Sequence, residues 1–131
     1  MKNTTKFQKP YVIAEIAQGF EGQPFLCKKF VQLAKKVGAQ AVKFQIFEAD
    51  ELCTRDYPYY NFFKGLEISP SIWQEIISEA KSLQIDFIAD VFGTKTLEWL
   101  KTSGAAGIKL HGTDVKNYEL IHAAAGFPGT F

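Results

Sequence analysis

Short apolar runs and longer amphipathic stretches take turns along this chain, four times over, and that order leaves few architectures open. Residues 11–17 (YVIAEIA) have the composition of a strand and are broken off by Gly19, Gly22 and Pro24. Over 24–37 the apolar residues fall at Leu26, Phe30, Leu33, Ala34 and Val37, which is helical spacing, with proline near the start and Gly38 just past the end. Residues 39–47 predict a second strand. Ser69-Pro70 opens a second long helix, with serine as its cap and Ile72, Trp73, Ile76, Ile77, Ala80 and Leu83 as its apolar face. Residues 85–92 predict a third strand, and a short helix containing Leu97, Trp99 and Leu100 ends at Gly104. A fourth strand over 107–111 and a helix over 116–125 follow, and the tail GFPGTF reads as a turn leading to the first residue of another strand. A βαβαβαβα order specifies an α/β fold with a parallel sheet and helical crossovers. Strands in such sheets are buried on both faces, so they need not alternate apolar with polar.

That last rule sharpens an oddity. The second strand lies in GAQAVKFQIF and the fourth in AAGIKLHG, and each carries a lysine near its end. Successive strand residues point to opposite faces. Ile13, Glu15 and Ala17 therefore share a face, as do Ala41, Lys43 and Gln45, then Ile88, Asp90 and Phe92, then Gly107, Lys109 and His111. The other faces, such as Val42, Phe44 and Ile46, are apolar and suit helix packing. A lysine inside a buried strand is costly unless paired or solvated. At the C-terminal end of a parallel strand it reaches the place where such folds bind ligands. Glu15, Lys43, Asp90 and Lys109 are thus expected to converge, and two lysines in one cavity suit an anionic substrate. A second reading stays open: two lysines and two acids can form a neutral internal salt-bridge network.

The remaining features exclude more than they specify. With 131 residues, 47% hydrophobic and 22% charged, the chain has the composition of a globular domain with a real core. A net charge of +1 with Arg55 as the one arginine, and no basic tract, argues against nucleic-acid binding. The opening MKNTTKFQKP is a polar arm over 1–10 without the apolar core of a signal peptide, and no apolar run reaches membrane-spanning length. Cys27 and Cys53 form no framework, which fits a reducing compartment, so a cytoplasmic protein is expected. His111 and His122 are not spaced as a metal pair. His111, beside Gly112 and Thr113, is either a site residue or a rim residue, whereas His122 reads as an ordinary surface or packing residue. The connection over 48–68 is long enough to carry an element of its own. Its Tyr57, Tyr59, Tyr60, Phe62 and Phe63 form either a lid over a site or a cluster packed on itself.

At these residues the sequence resembles the N-acetylneuraminate (sialic acid) synthase family. The resemblance rests on IAEIAQGFEG at 13–22, GAQAVKFQIF at 38–47, LEISPSIWQEI at 66–76, IDFIADVFG at 85–93 and GIKLHGTDVKNYELI at 107–121. It implies a TIM barrel followed by a small antifreeze-like domain, acting as a dimer. It implies condensation of phosphoenolpyruvate with an N-acylated amino sugar such as N-acetylmannosamine, with release of phosphate and use of a divalent metal, typically manganese. By the same resemblance Glu15 is the catalytic acid that contacts the amino sugar near the metal. Lys43 and Lys109 bind phosphoenolpyruvate, and Gln45 contacts substrate beside Lys43. Three positions depart from the family pattern. Phe20 stands at a histidine position, Asp90 where a Thr or Ser helps bind phosphate, and Gly112-Thr113 where a Ser-Gly pair is common, so that Thr113 would supply the hydroxyl from one place along.

A TIM barrel needs eight strands and about 250 residues. The expectation is therefore that residues 11–131 are the N-terminal half of such a barrel, with the later strands, the metal-binding histidines and the second domain outside this chain, and that the chain alone is inactive. Two other functions are compatible with the residues: a non-catalytic remnant or scaffold, with Asp90 and Phe20 marking lost chemistry, and an α/β module that binds an anionic metabolite without turnover.

Overall fold

The computed structural model describes residues 9–129. Four parallel strands run in the order of the sequence: β1 (Ile13–Ala17), β2 (Ala41–Ile46), β3 (Asp86–Val91) and β4 (Gly107–Lys109). Helices α1 (Pro24–Lys36), α4 (Pro70–Ser82) and α5 (Thr94–Ser103) make the crossovers, and α6 (Tyr118–Ala125) follows β4. Two short helices, α2 (Ala49–Leu52) and α3 (Tyr60–Gly65), lie within the long connection after β2. This is the α/β order expected from the sequence, four βα units of a barrel. Among the described residues no helix is long and apolar enough to cross a membrane. The expected polar arm falls almost wholly, and the hint of a fifth strand at Thr130 and Phe131 wholly, outside the described residues.

One face of the sheet is the core. Val42, Phe44 and Ile46 of β2, Phe87, Ala89 and Val91 of β3 and Ile108 of β4 are all buried, under Val31 and Ala34 of α1, Trp73, Ile76 and Ile77 of α4, and Leu97 and Leu100 of α5. Phe44 sits at its centre, stacked on Phe87 at 5.4 Å and tilted against Trp73 at 5.5 Å. Edge and offset arrangements of this kind use the positive rim of one ring against the negative face of the next.

Two of the helix ends follow their glycine signals. Gly38 and Gly104 close α1 and α5 in the left-handed region, at φ 86° and 83°. After α4 the same conformation falls to Gln84, at φ 53°. The expected serine cap of α4 is a correction: Ser69 occupies the cap position, but its hydroxyl pairs with Ser71 Oγ at 3.0 Å and caps no backbone N–H. Pro70, whose missing N–H would be unpaired in the first turn anyway, starts the helix without it. The last predicted helix is α6, preceded by a 3-10 turn over Gly112–Lys116 and capped by the Asn117 side chain accepting from Leu120 N at 3.2 Å.

The connection after β2 is ordered by carboxylates. Glu67 reaches back to accept from Ala49 N at 2.6 Å, at the start of α2. Glu51 accepts from the backbone N–H of Thr96 at 3.0 Å and from its hydroxyl, so the first turn of α5 is capped by a residue from another element. Gly93 makes room for this, because a Cβ there would overlap the Glu51 carboxylate.

Candidate functional site

The face of the sheet away from the helices carries the charged residues, and strand register sets them in two rows. Glu15 pairs with Lys43, which pairs with Ile88 and then Gly107. One step toward the C-terminal ends, Gln45 pairs with Asp90, which pairs with Lys109. A third row, just beyond the strand ends, is aromatic: Phe47 and Phe92 meet edge to face at 5.8 Å, and the His111 ring stacks on Phe92 at 4.3 Å. This row adjoins the second one as an aromatic roof at the strand ends, and Asp90 in the second row is 2% exposed.

Asp90 is the hub. Its Oδ1 lies 3.2 Å from Lys43 Nζ, and its Oδ2 accepts from Lys109 Nζ at 3.4 Å. Lys43 Nζ also lies 2.6 Å from Glu15 Oε2. The Lys43 contact to Oδ1 is close but poorly directed, and that oxygen has no hydrogen-bond partner. Burial pulls the Lys43 ammonium toward neutrality, yet the carboxylates of Glu15 and Asp90 outweigh it and hold Lys43 above its ordinary value. Lys43 is 9% exposed, whereas the side chains of Glu15 and Lys109 are about half open to water, at 49% and 45%. The cluster thus runs from a wet carboxylate to a buried one and back to a wet ammonium.

Glu15 is aimed by a break in β1. The register shifts between Glu15 and Ala17, Ala17 adopts φ 52°, and its N–H donates to Glu15 Oε1 at 3.1 Å. A left-handed alanine costs roughly 1–2 kcal/mol, and bulges of this kind redirect side chains at the ends of strands beside sites. No signal in the run IAEIAQG announces it.

The structure therefore brings Glu15, Lys43, Asp90 and Lys109 into one connected network, with Gln45 half-buried beside Asp90. It does not bring Thr113 in: that residue is exposed on the 3-10 turn and makes no hydrogen bond to the network. Phe20 faces the other way, 1% exposed against Trp73 at 5.4 Å and Phe44 at 6.1 Å, so it is a core residue on the helix side. The aromatics of the long connection pack on one another, Tyr57 on Phe63 and Phe62 on Phe63, and Phe63 continues to Phe47. Of the two expectations for that segment the structure shows the self-packed cluster, whose inner end reaches Phe47. Phe47 was not singled out from the sequence, although the alternation Lys43, Gln45, Phe47 places it on the same face.

Elsewhere on this face a hollow of about 420 Å³ is lined by Tyr11, Ile13, Asp86, Ile88, Ala106 and Gly107. It lies at the N-terminal ends of the strands, and its polar groups satisfy each other through the Tyr11 hydroxyl and Asp86. That contact and burial push the Tyr11 phenol up to about 12, burial being the larger cause. Nothing unpaired faces it, and parallel sheets bind ligands at the opposite end. Among the described residues no group of three or more His, Cys, Asp or Glu side chains is placed to hold a metal ion.

Comparison with known proteins places this geometry. Residues 30–130 match the model described as the NeuB family. The chain is 30% identical to N-acetylneuraminate-9-phosphate synthase of Drosophila melanogaster, covering 88% of this chain and 34% of that protein. It is 29% identical to N,N'-diacetyllegionaminic acid synthase of Legionella pneumophila, covering 88% and 36%. The crystal structure of N-acetylneuraminic acid (sialic acid) synthetase from Leptospira borgpetersenii in complex with citrate superposes with a TM-score of 0.82 at 26% identity, over 88% of this chain and 40% of that one. The chain thus spans about a third of the length of the curated relatives it matches.

Proposed function

The chain belongs to the NeuB family, and from that premise we propose that it supplies the phosphoenolpyruvate-binding part of a synthase that condenses phosphoenolpyruvate with an N-acylated amino sugar and releases phosphate. One observation carries the reading. Lys43 from the middle of β2 and Lys109 from the end of β4 project from one face of the sheet, both in contact with the buried carboxylate of Asp90. Phosphoenolpyruvate presents a carboxylate and a phosphate, and two ammonium groups that meet at one carboxylate suit that pair of anions. Held between them, the ligand would lie under the roof of Phe47, Phe92 and His111, where exclusion of water strengthens each ionic contact. Glu15 has a half-exposed carboxylate held by Ala17 N and Lys43, and in this reading it would meet the hydroxyls of a sugar. The divalent metal implied by the resemblance finds no ligand cluster among the described residues, so no step is assigned to it.

Calorimetric titration with phosphoenolpyruvate tests the site. Lys109→Met, on the exposed side of the network, should weaken binding roughly 10- to 100-fold, the worth of one charge-assisted contact. Equal affinity for wild type and variant would remove the lysine pair as the anion site. A second reading is favoured by Asp90 itself. Two carboxylates and two ammoniums already sum to zero charge, which suits an anion-binding module or a remnant that no longer turns over. Release of inorganic phosphate from phosphoenolpyruvate and N-acetylmannosamine by the whole polypeptide separates the two.

A further inference from the structure

Asp90 poses a problem that the anion site must solve. In the free protein Lys43 and Lys109 both serve this carboxylate, which is 2% exposed. An anion that recruits the lysines takes away the charges that make a buried carboxylate tolerable. A further ionisable group lies close by. His111 Nε2 is buried, has no hydrogen-bond partner, and lies 3.9 Å from Asp90 Oδ2. Asp90 Oδ1 is the other buried polar atom left without a partner among the described residues. The two orphaned atoms belong to neighbouring side chains. The imidazole stands on Phe92 at 4.3 Å and 24°, a stacked arrangement.

We infer that His111 is a positioning residue for the anion site: when an anion engages Lys43 and Lys109, His111 takes up a proton and its Nε2–H replaces the lysines as the partner of Asp90. The inference rests on the anion-binding reading above.

The surrounding charges give the sign. From β3, Asp90 favours a proton on His111. From β4, the Lys109 ammonium, bound to the same Oδ2, opposes it. Lys43 on β2 and Glu15 on β1 act through Asp90 and offset each other. On its own turn Asp114 accepts from the His111 backbone N–H at 3.3 Å and adds a second negative charge nearby. Phe92 and Phe47, the aromatic neighbours in the roof, bring none. In the free protein the two lysines already serve the Asp90 carboxylate. A bound anion satisfies Lys109 and adds negative charge, and both changes draw a proton to His111. By linkage, affinity for the anion falls as pH rises through the imidazole range, near about 6.5.

The test is calorimetry of the whole polypeptide with phosphoenolpyruvate at pH 6 and pH 8, each in two buffers of different ionisation heat, for wild type and His111→Asn. Phosphoenolpyruvate titrates in the same range, but its own protons count equally for both proteins. Wild type should take up more protons per ligand than His111→Asn, and its affinity ratio between the two pH values should exceed the variant's by roughly fivefold or more. Proton NMR of the imidazoles needs no folded variant. Saturating ligand near pH 7 should move the His111 resonances to imidazolium positions and leave those of exposed His122 in place. Binding with equal proton uptake in both proteins and no movement of His111 overturns the inference and leaves the anion site standing. If wild type fails to bind phosphoenolpyruvate at either pH, the anion site falls and the inference with it.

Discussion

The two faces of one sheet were built from alternate residues of the same strands, yet they obey different rules. On the helix side Val42, Phe44, Phe87 and Ala89 are 2% exposed or less and pack ring on ring under α4. The other side carries charges and aromatics toward the strand ends: Lys43, Asp90 and Lys109, then Phe47, Phe92 and His111. Apolar side chains in place of the charges would satisfy stability alone, since buried ion pairs are often neutral or worse than a hydrophobic replacement. What the charged face holds instead is a set of groups poised with two polar atoms unpaired. Local choices that disagree with stability are where function is expected.

The sharpest way to break the comparison is to cut each face once. Phe44→Ala removes the ring that touches Phe20, Trp73 and Phe87. It should cost about 3–5 kcal/mol in urea unfolding, the usual loss for a truncated core aromatic. A loss below about 1 kcal/mol would mean that the helix face is not the core.

Cutting the charged face should cost less and depend on pH. Lys43→Met keeps the aliphatic volume and leaves Asp90 with Lys109 alone, for an expected loss of about 2 kcal/mol, short of the full cost of an unpaired buried charge. The double variant Lys43→Met/Asp90→Leu should recover most of it. If the double variant is as unstable as the sum of the singles, the two side chains are not coupled. Lys43 is held above its ordinary 10.5 in the folded chain, with burial opposing and the two carboxylates prevailing. A lysine raised on folding contributes stability that is whole below the unfolded value and is lost as pH rises through the folded one. The gap between wild type and Lys43→Met should therefore stay flat up to about pH 10 and shrink above it.

The helix face was almost wholly legible in the sequence because its signals are local and periodic. Leu97 and Leu100, or Trp73, Ile76 and Ile77, announce a buried stripe by spacing alone, and Gly38 and Gly104 announce the ends. Alternation also placed Glu15, Lys43, Asp90 and Lys109 on one side. What spacing did not carry was three-dimensional reach. The hydroxyl of Ser69 turned to Ser71, while α5 is capped by Glu51 from 45 positions away in sequence. The register break after Glu15 arises from pairing with β2, which no property of IAEIAQG encodes. Thr113 was put forward by the family resemblance as the hydroxyl one place along, and the 3-10 turn that begins at Gly112 leaves it exposed.

The charged face is itself graded, and its wet end should show the smallest effect. Glu15 Oε2 lies 2.6 Å from Lys43 Nζ, the shortest ion pair of the network, yet its side chain is 49% exposed. Distance alone would rank it above the 3.2 Å contact with Asp90. Burial reverses the rank, because a half-exposed pair competes with water and is screened by salt. Glu15→Gln keeps an oxygen for the Ala17 N–H and removes only the charge. It should change unfolding free energy by no more than about 0.5 kcal/mol, and by less at high salt. If Glu15 meets the sugar, the same substitution should suppress phosphate release by the whole polypeptide while leaving phosphoenolpyruvate affinity within about threefold, since that affinity rests on the lysines. A stability loss as large as that of Lys43→Met would instead show that Glu15, not Asp90, carries the ion pair, and would move the structural centre of the network out to the rim.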